Sequence, residues 1–539
     1  MTTASRTVEH TTTGGKPILR LPWTRQARHR DTTDLGLEDP VKGLSGLAAC
    51  YPVEPKGPGW RGYLRRGGGY ASAFPTVDEF FGTSSQVCGG FWPFSTDLSL
   101  PVEGVPVGRL LGTGAGVCCD PISWYQAKII NQPSMFVMGL PGIGKSTFVR
   151  RLVWGLAALG VNCVIPGDLK PDYRSLVELL DGQVIGLGSS TGSINPLDPG
   201  DVHYALQRLT GDAKEELYKD YAQRREATLE VLIVISRNGA RGNAGISDVE
   251  GNILSTALDE LWAKSRQDTH PPVLADLMGL IRSAPQSVRQ AAVWDDPDDD
   301  DKYHEAIHGL MASLNALASP HGKFGSLFSR QTTSRVDLSH PVDYDVSSLS
   351  GATDDVVAAV LAATWSSTFG AKNAADILAE QGLQPRRNNV IIMDEMHRAL
   401  QASPLMVDKL DLLTRLNRQW GVGQIMITHT FADLLSLGDD ARNLKARGFF
   451  ERSEIKVLGA LNAAEVDKFL RRESGLKVSR MEQRYLEDWS TPLGYERDSL
   501  KGMGRFLIKT GSNPGLPVDV QLCALEESGF NDTALKWHD

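Results

Sequence analysis

The chain has 539 residues, more than a single mononucleotide-binding fold needs, so we expect one large α/β domain with a sizeable insertion and extensions. Its 56 basic and 65 acidic residues give a net charge of −9, which argues against a protein that coats a polyanion and leaves only local basic patches for nucleic acid. The 6 cysteines show no C-x-x-C or Cys/His ligand spacing, which argues against a disulfide or zinc framework and indicates reduced cytosolic thiols.

The N-terminal part of the chain predicts an arm and a collar. Residues 1–60 are rich in Thr, Arg, Gly and Pro, which predicts a flexible basic arm, either solvated or in contact with lipid, nucleic acid or an acidic partner. Residues 61–133 are aromatic and glycine-rich around short β-like pieces at 105–108 and 116–120, which predicts a small β-rich collar. Its aromatic cluster is either a packed satellite core or a surface that stacks bases. We expect a soluble protein, because no signal peptide is present and the longest apolar helical run, 356–365, is about half of a bilayer span.

A phosphate-binding loop follows the first strongly apolar strand. Met135–Met138 predicts a buried strand, and Gly139–Ser146 matches G-x-x-x-x-G-K-[ST] at every fixed position before an amphipathic helix at 147–159. The glycines let the backbone N–H groups form an anion nest, and the helix dipole adds positive potential. We therefore expect Lys145 to reach the β- and γ-phosphates of ATP and Ser146 to bind Mg²⁺. The predicted nucleotide-binding residues are Gly139, Leu140, Pro141, Gly142, Ile143, Gly144, Lys145, Ser146 and Thr147.

The next elements predict a parallel sheet. A second apolar strand, Asn162–Ile165, is followed by the segment Gly167–Tyr173, by a helix at 174–180 and by a short strand. This order is typical of βαβ units, and we assign residues 134–200 to the first half of the nucleotide-binding domain. Asp168 would lie at the carboxyl end of its strand, where it is either an outer ligand of magnesium or water, or a cap of the next segment.

Residues 201–325 interrupt the α/β pattern. Apolar residues recur at helical spacing over 249–262, which predicts an all-α insertion. The acidic run at 295–301 predicts an exposed loop, because it lacks the regular ligand alternation and the glycine of a calcium-binding loop.

The second half of the domain, 326–522, contains a pair of carboxylates. Asn389–Met393 is a continuous apolar run typical of a central parallel strand, and it ends in Asp394 and Glu395. In a chain that also has a phosphate-binding loop, such a pair predicts a Walker B site, with Asp394 on Mg²⁺ and Glu395 polarising the attacking water. The alternative is a strand that ends in two solvated acids.

A second strand leads to the same edge. Gly423–Thr428 predicts a buried strand that delivers His429 to the sheet edge at which the phosphate-binding loop lies. Before it, residues 404–420 predict an amphipathic helix with Arg415 and Arg418 off the apolar stripe. The chain then predicts a closing hairpin and a C-terminal tail, at 504–509 with 518–522 and at 523–539.

These segments together resemble one family. Gly139–Thr147, Gly167–Tyr173, Gly192–Asp198 and the strand ending in Asp394–Glu395 are similar to motifs of the conjugative-transfer ATPases of type IV secretion systems. The class is the TraC/TrbE type, within the HerA/FtsK branch of P-loop motor ATPases. The Ile194-Asn195-Pro196 element after a glycine-rich turn is the most discriminating piece of the resemblance.

The resemblance implies a P-loop NTPase (RecA-like) α/β fold, in which a parallel sheet carries the all-α insertion and the small N-terminal β collar. It implies an ATP- and Mg²⁺-dependent motor that self-associates, with the hexamer favoured over the dimer. Such a motor docks on membrane-embedded secretion or conjugation subunits, at the cytoplasmic face of the inner membrane. Carried over by position, Lys145 and Ser146 are the phosphate and Mg²⁺ residues, Asp394 and Glu395 the Walker B pair, and Thr428–His429 the sensor.

The chain departs from the family in two places. The sensor position usually holds Gln, so His429 leaves open whether the γ-phosphate is sensed by the same hydrogen bond. Only about 130 residues precede the loop, so we expect a separate polypeptide to replace the long N-terminal domain of the family. Ring ATPases of this branch usually complete the γ-phosphate site with an arginine from the neighbouring subunit, and Arg415 and Arg418 are the candidates. The alternative for both is a solvated helix charge.

Two other functions stay open from the sequence alone. A DNA-translocating motor of the coupling-protein or FtsK/HerA kind would show DNA-stimulated ATPase activity with strong salt dependence. The all-α insertion and the lack of a membrane anchor favour the secretion ATPase, so DNA is a partner that we do not favour. A structural subunit that binds ATP only to stay assembled would have no need of the water-polarising Glu395.

Overall fold

A computed structural model describes the chain at residues 101–188, 191–237, 245–265, 270–292, 299–402, 421–431, 440–467, 476–491, 501–511 and 513–529. All of these residues belong to the unit Lys56–Asp539. The predicted arm, the first part of the predicted collar and the predicted helix with Arg415 and Arg418 lie outside the described residues. None of the helices in the described ranges combines the length and the apolar character that a bilayer span requires.

One large sheet organises the fold. Its strands are β1 Pro106–Leu110, β2 Gly116–Cys118, β3 Ser134–Met138, β4 Asn162–Asp168, β5 Gln183–Gly186, β6 Val342–Asp345, β7 Asn389–Met393, β8 Val422–Thr428, β9 Ile455–Leu458, β10 Arg505–Thr510 and β11 Leu516–Val520. The described residues form 11 strands in the order β2-β1-β11-β10-β9-β3-β8-β7-β4-β6-β5. Pairing is parallel from β9 to β5 and antiparallel from β9 through β10, β11 and β1 to β2.

The helices pack on the sheet and make up the insertion. They are α1 Pro121–Gln126, α2 Lys145–Ala158, α3 Arg174–Leu179, α4 Asp201–Arg208, α5 Asp212–Arg237, α6 Asp248–Ser265, α7 Leu274–Ser283, α8 Gln286–Ala292, α9 Asp300–Ala318, α10 Asp354–Glu380, α11 Met396–Ala402, α12 Asp440–Arg452, α13 Ala463–Glu465, α14 Arg480–Trp489 and α15 Ala524–Gly529. A short 3₁₀ turn at Ser347–Leu349 connects β6 to α10.

The centre of the sheet explains why the apolar runs of the sequence are strands. Every residue of β3, β7 and β8 is buried, as expected for parallel strands that are covered on both faces. The three strands are neighbours in the order β3-β8-β7, with Met138 opposite Thr428 and Met393 opposite Met426. Their carboxyl ends therefore meet at one edge, and the predicted α/β parallel sheet is confirmed.

The segment between β5 and β6 is helical. Helices α4 to α9 follow one another with no strand between them in the described residues, as the sequence predicts. Their apolar side chains, such as Leu232, Ile253 and Leu314, belong to the same buried cluster as the sheet residues. A buried ion pair between Arg237 Nη2 and Glu250 Oε1, 2.6 Å apart, joins α5 to α6.

Two predictions about element ends are wrong. The acidic run does not stay a loop to its end, because Asp300 and Asp301 form the first turn of α9. Asp299 caps that helix by accepting a hydrogen bond from Lys302 N at 3.0 Å, and acidic residues in a first turn are stabilised by the helix dipole. The small residues at 354–369 predict a helix that ends at Phe369, but α10 continues to Glu380.

The antiparallel edge joins the two ends of the described chain. The predicted hairpin is confirmed as β10 and β11, and β11 pairs with β1. On α2, Arg151 donates from Nε to Pro106 O at 2.9 Å and from Nη1 to Glu526 Oε2 at 2.5 Å. These buried contacts attach the helix that follows the phosphate-binding loop to both β1 and α15.

Glu526→Ala is expected to destabilise this edge. Removing one partner of a buried ion pair leaves the other charge uncompensated, which costs about 3–5 kcal/mol. Glu526 has no exposed surface, whereas its neighbour Glu527 is exposed and makes a matched control. Denaturant titration should show a lower unfolding midpoint for Glu526→Ala and an unchanged one for Glu527→Ala. Equal midpoints for the two variants would mean that the ion pair adds nothing to stability.

Candidate nucleotide-binding site

The loop between β3 and α2 has the backbone of an anion-binding nest. Gly142 and Gly144 have φ of 80° and 94°, values that side chains other than glycine rarely adopt. No atom lies within 4 Å of the position that a Cβ would take at Gly142, so its conformation, not crowding, requires the glycine. Gly144 stands at the N-cap of α2, whose free N–H groups and dipole face the loop. The loop therefore offers N–H donors to a phosphate group.

Lys145 brings a positive charge into this loop. Its side chain is buried, and Nζ donates hydrogen bonds to Gly139 O at 2.7 Å and Leu140 O at 3.1 Å. Nζ also lies 2.8 Å from His429 Nδ1. The ammonium is thus held within the loop itself, where it adds to the potential of the N–H groups and can bind an anion as a point charge.

Asp394 follows β7 at the same edge. One carboxylate oxygen accepts from Tyr173 Oη at 3.1 Å and the other from Glu395 N at 2.8 Å. Burial raises the pKa of Asp394 to about 6, and the adjacent Glu395 charge adds to the increase. A divalent cation would relieve both effects, and a carboxylate and a serine hydroxyl are hard oxygen donors of the kind that Mg²⁺ prefers. Asp394 and Ser146 therefore fit a magnesium site in their chemistry.

Glu395 is the most tightly contacted acid of the site. His429 Nε2 lies 3.2 Å from its Oε1, Lys170 Nζ forms an ion pair with the same oxygen, and His397 Nδ1 lies 3.6 Å from Oε2. Burial alone would raise the pKa of Glu395, but the hydrogen bonds from His429 and Lys170 hold it well below its usual range. The carboxylate is therefore ionised at neutral pH.

The backbone of Glu395 is strained. Its φ of 48° lies in the left-handed region, which is uncommon for a residue with a side chain. Such conformations cost of the order of 1–3 kcal/mol and persist where the surrounding structure holds them, often at functional sites. In this conformation the Glu395 carboxylate contacts His429, at the end of the neighbouring strand β8.

His429 connects Glu395 to the loop. It follows β8, and its carbonyl oxygen accepts from Gly139 N at 3.2 Å, so its backbone is fixed to the start of the loop. One ring nitrogen faces Lys145 and the other faces Glu395, as described above. The sequence places His429 at the edge of the phosphate-binding loop, and the structure puts it in contact with both charged groups.

Two site predictions remain, one for Asp168 and one for the pair Arg415 and Arg418. Of the two roles open for Asp168, the cap matches the contacts, because its carboxylate accepts from Tyr173 N at 2.7 Å and from Lys170 N at 3.2 Å. Burial raises the pKa of Asp168 to about 6 despite these bonds. Arg415 and Arg418 lie outside the described residues, so their role stays a prediction.

The sequence predicts no role for three residues of the site, Lys170, Tyr173 and His397. Lys170 and Tyr173 belong to the Gly167–Tyr173 segment, whose likeness to a family motif was the one signal that pointed to them. Their contacts with Glu395 and Asp394 join residues more than 200 positions apart, and no local pattern reports such pairs.

Comparisons with known proteins support the fold. Searches with the sequence against family models and characterised proteins give no match. The structure is similar to that of VirB4 of Thermoanaerobacter pseudethanolicus, with a TM-score of 0.57 and 18% sequence identity over 79% of this chain and 99% of that one. A plasmid coupling protein, TrwB, in complex with a non-hydrolysable ATP analogue reaches a TM-score of only 0.45, at 12% identity over 78% of this chain and 90% of that one. The likeness to VirB4 shows the fold, and the predicted α/β architecture with its parallel sheet is confirmed.

Proposed function

We propose that the protein is an ATP-hydrolysing motor that energises a type IV secretion or conjugative transfer apparatus. The observation that carries the proposal is the chain of contacts from Lys145 through His429 to Glu395, at the edge where three parallel strands end. A phosphate-binding charge and an ionised carboxylate joined by one side chain are the parts that phosphoryl transfer to water requires. The resemblance of the sequence to conjugative-transfer ATPases and the fold shared with VirB4 support the choice of apparatus.

The loop and Lys145 would hold the phosphates. The N–H groups of residues 142–147 and the α2 dipole would bind the negative oxygens, and Lys145 would exchange its bonds to the loop carbonyls for the β- and γ-phosphates. Ser146 and Asp394 would hold Mg²⁺. A bound Mg²⁺ would supply positive charge that neutralises the charge developing on the phosphate oxygens.

Glu395 would orient and polarise the attacking water. An ionised carboxylate accepts a hydrogen bond from water, and its remaining lone pairs leave room for one beside the contacts to His429 and Lys170. The strained backbone fixes the point at which this side chain begins. A group of this kind contributes about 10²–10⁴ in rate.

His429 would act as the sensor in place of the family's Gln. It can pass a change at Lys145 to Glu395, because it contacts both. His429→Gln should keep most of the activity, since an amide also has a donor and an acceptor, whereas His429→Leu should bind ATP normally and hydrolyse it about 10–100-fold more slowly. Steady-state ATPase rates and binding of a fluorescent ATP analogue measure the two effects.

A matched control for His429 is available on α9. His308 is exposed there, so His308→Leu should leave hydrolysis unchanged. If His429→Leu hydrolyses ATP as fast as the unaltered protein, then the histidine is a packing residue and the sensor role is wrong.

The motor would work as a homo-oligomer, with a hexamer as the proposed form. Arg415 or Arg418 of one subunit would then complete the γ-phosphate site of the next. We further propose that the oligomer docks on membrane-embedded secretion or conjugation subunits, at the inner face of the cell membrane.

The proposal is tested by measuring ATP hydrolysis of the purified chain with Mg²⁺, with and without single- and double-stranded DNA, over a series of salt concentrations. Size measurement with a non-hydrolysable ATP analogue gives the oligomer in the same samples. We expect hydrolysis that DNA does not change. Stimulation by DNA that falls steeply with salt would favour a DNA-translocating motor, and the absence of both ATP binding and hydrolysis would overturn the proposal.

A further inference from the structure

Lys170 lies beside the Walker B acids without belonging to either nucleotide motif. It follows β4 in the turn that Asp168 caps, and that cap fixes its backbone N through the 3.2 Å hydrogen bond to Asp168 Oδ1. Its side chain is 60% exposed, yet Nζ forms an ion pair with Glu395 Oε1, and Glu395 itself is only 8% exposed. Lys170 thus reaches from a fixed turn at the surface into the site, where it contacts Glu395, a residue with a strained backbone.

The charges around this contact are mostly negative. Asp394 is adjacent to Glu395 in the chain, and the charges of Asp394 and Asp172 both act on Lys170. Burial lowers the pKa of Lys170, but the hydrogen bond and charge of Glu395, with those two acids, raise it above its usual value. Lys170 therefore stays charged, whereas His397 and His429 are cations only when protonated.

The geometry of the pair limits where the Glu395 carboxylate can go. Glu395 has three side-chain torsions, and its strained backbone fixes only where they begin. Lys170 approaches Oε1, His429 Nε2 lies 3.2 Å from both oxygens, and His397 approaches Oε2 from the neighbouring helix α11. Without Lys170, repulsion from Asp394 would favour other rotamers of Glu395.

We propose that Lys170 is a positioning residue for Glu395: through its ion pair it keeps the carboxylate aimed at the place of the attacking water. This inference rests on the proposed ATPase function and adds a residue outside the Walker motifs to it. Lys170 acts only through Glu395 and does not contact the nucleotide.

The first test replaces the charge. Lys170→Met should lower kcat by roughly 10- to 100-fold, the penalty for a misplaced reacting group, and should leave the dissociation constant for a fluorescent ATP analogue within about twofold. Lys170→Arg keeps the charge and should restore most of the rate. Lys219→Met is the matched control, because Lys219 is a 67% exposed lysine on α5 that also pairs with a glutamate, Glu215, at 2.7 Å.

The second test asks whether Lys170 works through Glu395. In a Glu395→Gln background the carboxylate is already gone, so adding Lys170→Met should change kcat no further. The same tenfold or larger loss in that background, an unchanged or raised kcat in the single variant, or a loss confined to ATP binding would each overturn the inference. If the unaltered protein hydrolyses ATP, these results leave the proposed function intact, whereas an inactive unaltered protein would overturn both.

Discussion

Lys145→Ala is expected to abolish ATP hydrolysis. The ammonium is the one lysine charge that the structure places inside the loop, at hydrogen-bond distance from two loop carbonyls, and it would move onto the transferring phosphate. Removing a single group that stabilises developing charge costs about 10²–10³ in rate, and the loss of ground-state attraction weakens ATP binding as well. Hydrolysis and nucleotide binding, measured on the same preparation, report the two losses separately.

The fold should survive this substitution. Position 145 is the first residue of α2, and alanine is the best helix former. The substitution leaves the buried Gly139 carbonyl without this donor, which costs about 1–3 kcal/mol. Thermal unfolding should therefore show a modestly lower midpoint with the fold kept. Lys302→Ala, which removes an exposed lysine on α9, is the control and should retain full activity. Undiminished hydrolysis in Lys145→Ala would end the motor hypothesis.

The sequence predicts the central sheet and the main site residues because both depend on local patterns. Parallel strands covered on two faces require continuous apolar runs, and β3, β7 and β8 have them. Each of these runs ends directly before a residue of the predicted site, at Gly139, Asp394 and His429. Since parallel strands end at one edge, three separate stretches of sequence predict one site.

The end of α10 could not be predicted in the same way. Gly370 follows the predicted last residue, Phe369, and glycine is unfavourable inside a helix by about 1 kcal/mol. In the structure the part of α10 beyond Gly370 is buried, because Ile377 and Leu378 belong to one apolar cluster with Leu217 and Tyr221 of α5. The helix therefore continues past the glycine because its apolar side chains have partners, a tertiary reason that local propensity does not reveal.

The ion pair of Lys170 with Glu395 is a second case. Lys170 is an exposed residue in a turn, and exposed lysines in turns are common and usually solvated. Only the pairing of β4 with β7 brings that turn next to the Walker B strand. The predicted site therefore contains the groups at the strand ends and misses those that reach it from a neighbouring turn.

Glu395→Gln should bind ATP and hydrolyse it about 10²–10⁴-fold more slowly. The amide keeps the shape of the side chain and one acceptor, but it cannot take up a proton or strongly polarise water. The substitution also removes the negative charge of Glu395, which helps to raise the pKa of the adjacent Asp394. Asp394 therefore stays available as an ionised ligand, so Mg²⁺ and ATP binding should be kept. A single-turnover experiment separates slow hydrolysis from slow product release, and a binding titration shows that the nucleotide is held.

The control is Glu451→Gln, which changes an exposed glutamate on α12 that pairs with Arg447 and should leave the rate unaltered. Normal turnover by Glu395→Gln would mean that another group positions the water. Asp168 would be tested first, because it lies at the carboxyl end of β4, adjacent to β7 in the sheet. The two oxygens of Asp168 already accept backbone hydrogen bonds that cap the turn before α3, so Asp168→Asn should lower stability. If Asp168 also positions the water, the same substitution should lower the rate. A variant that lost rate with no change in unfolding would reassign the role of the water-polarising acid from Glu395 to Asp168.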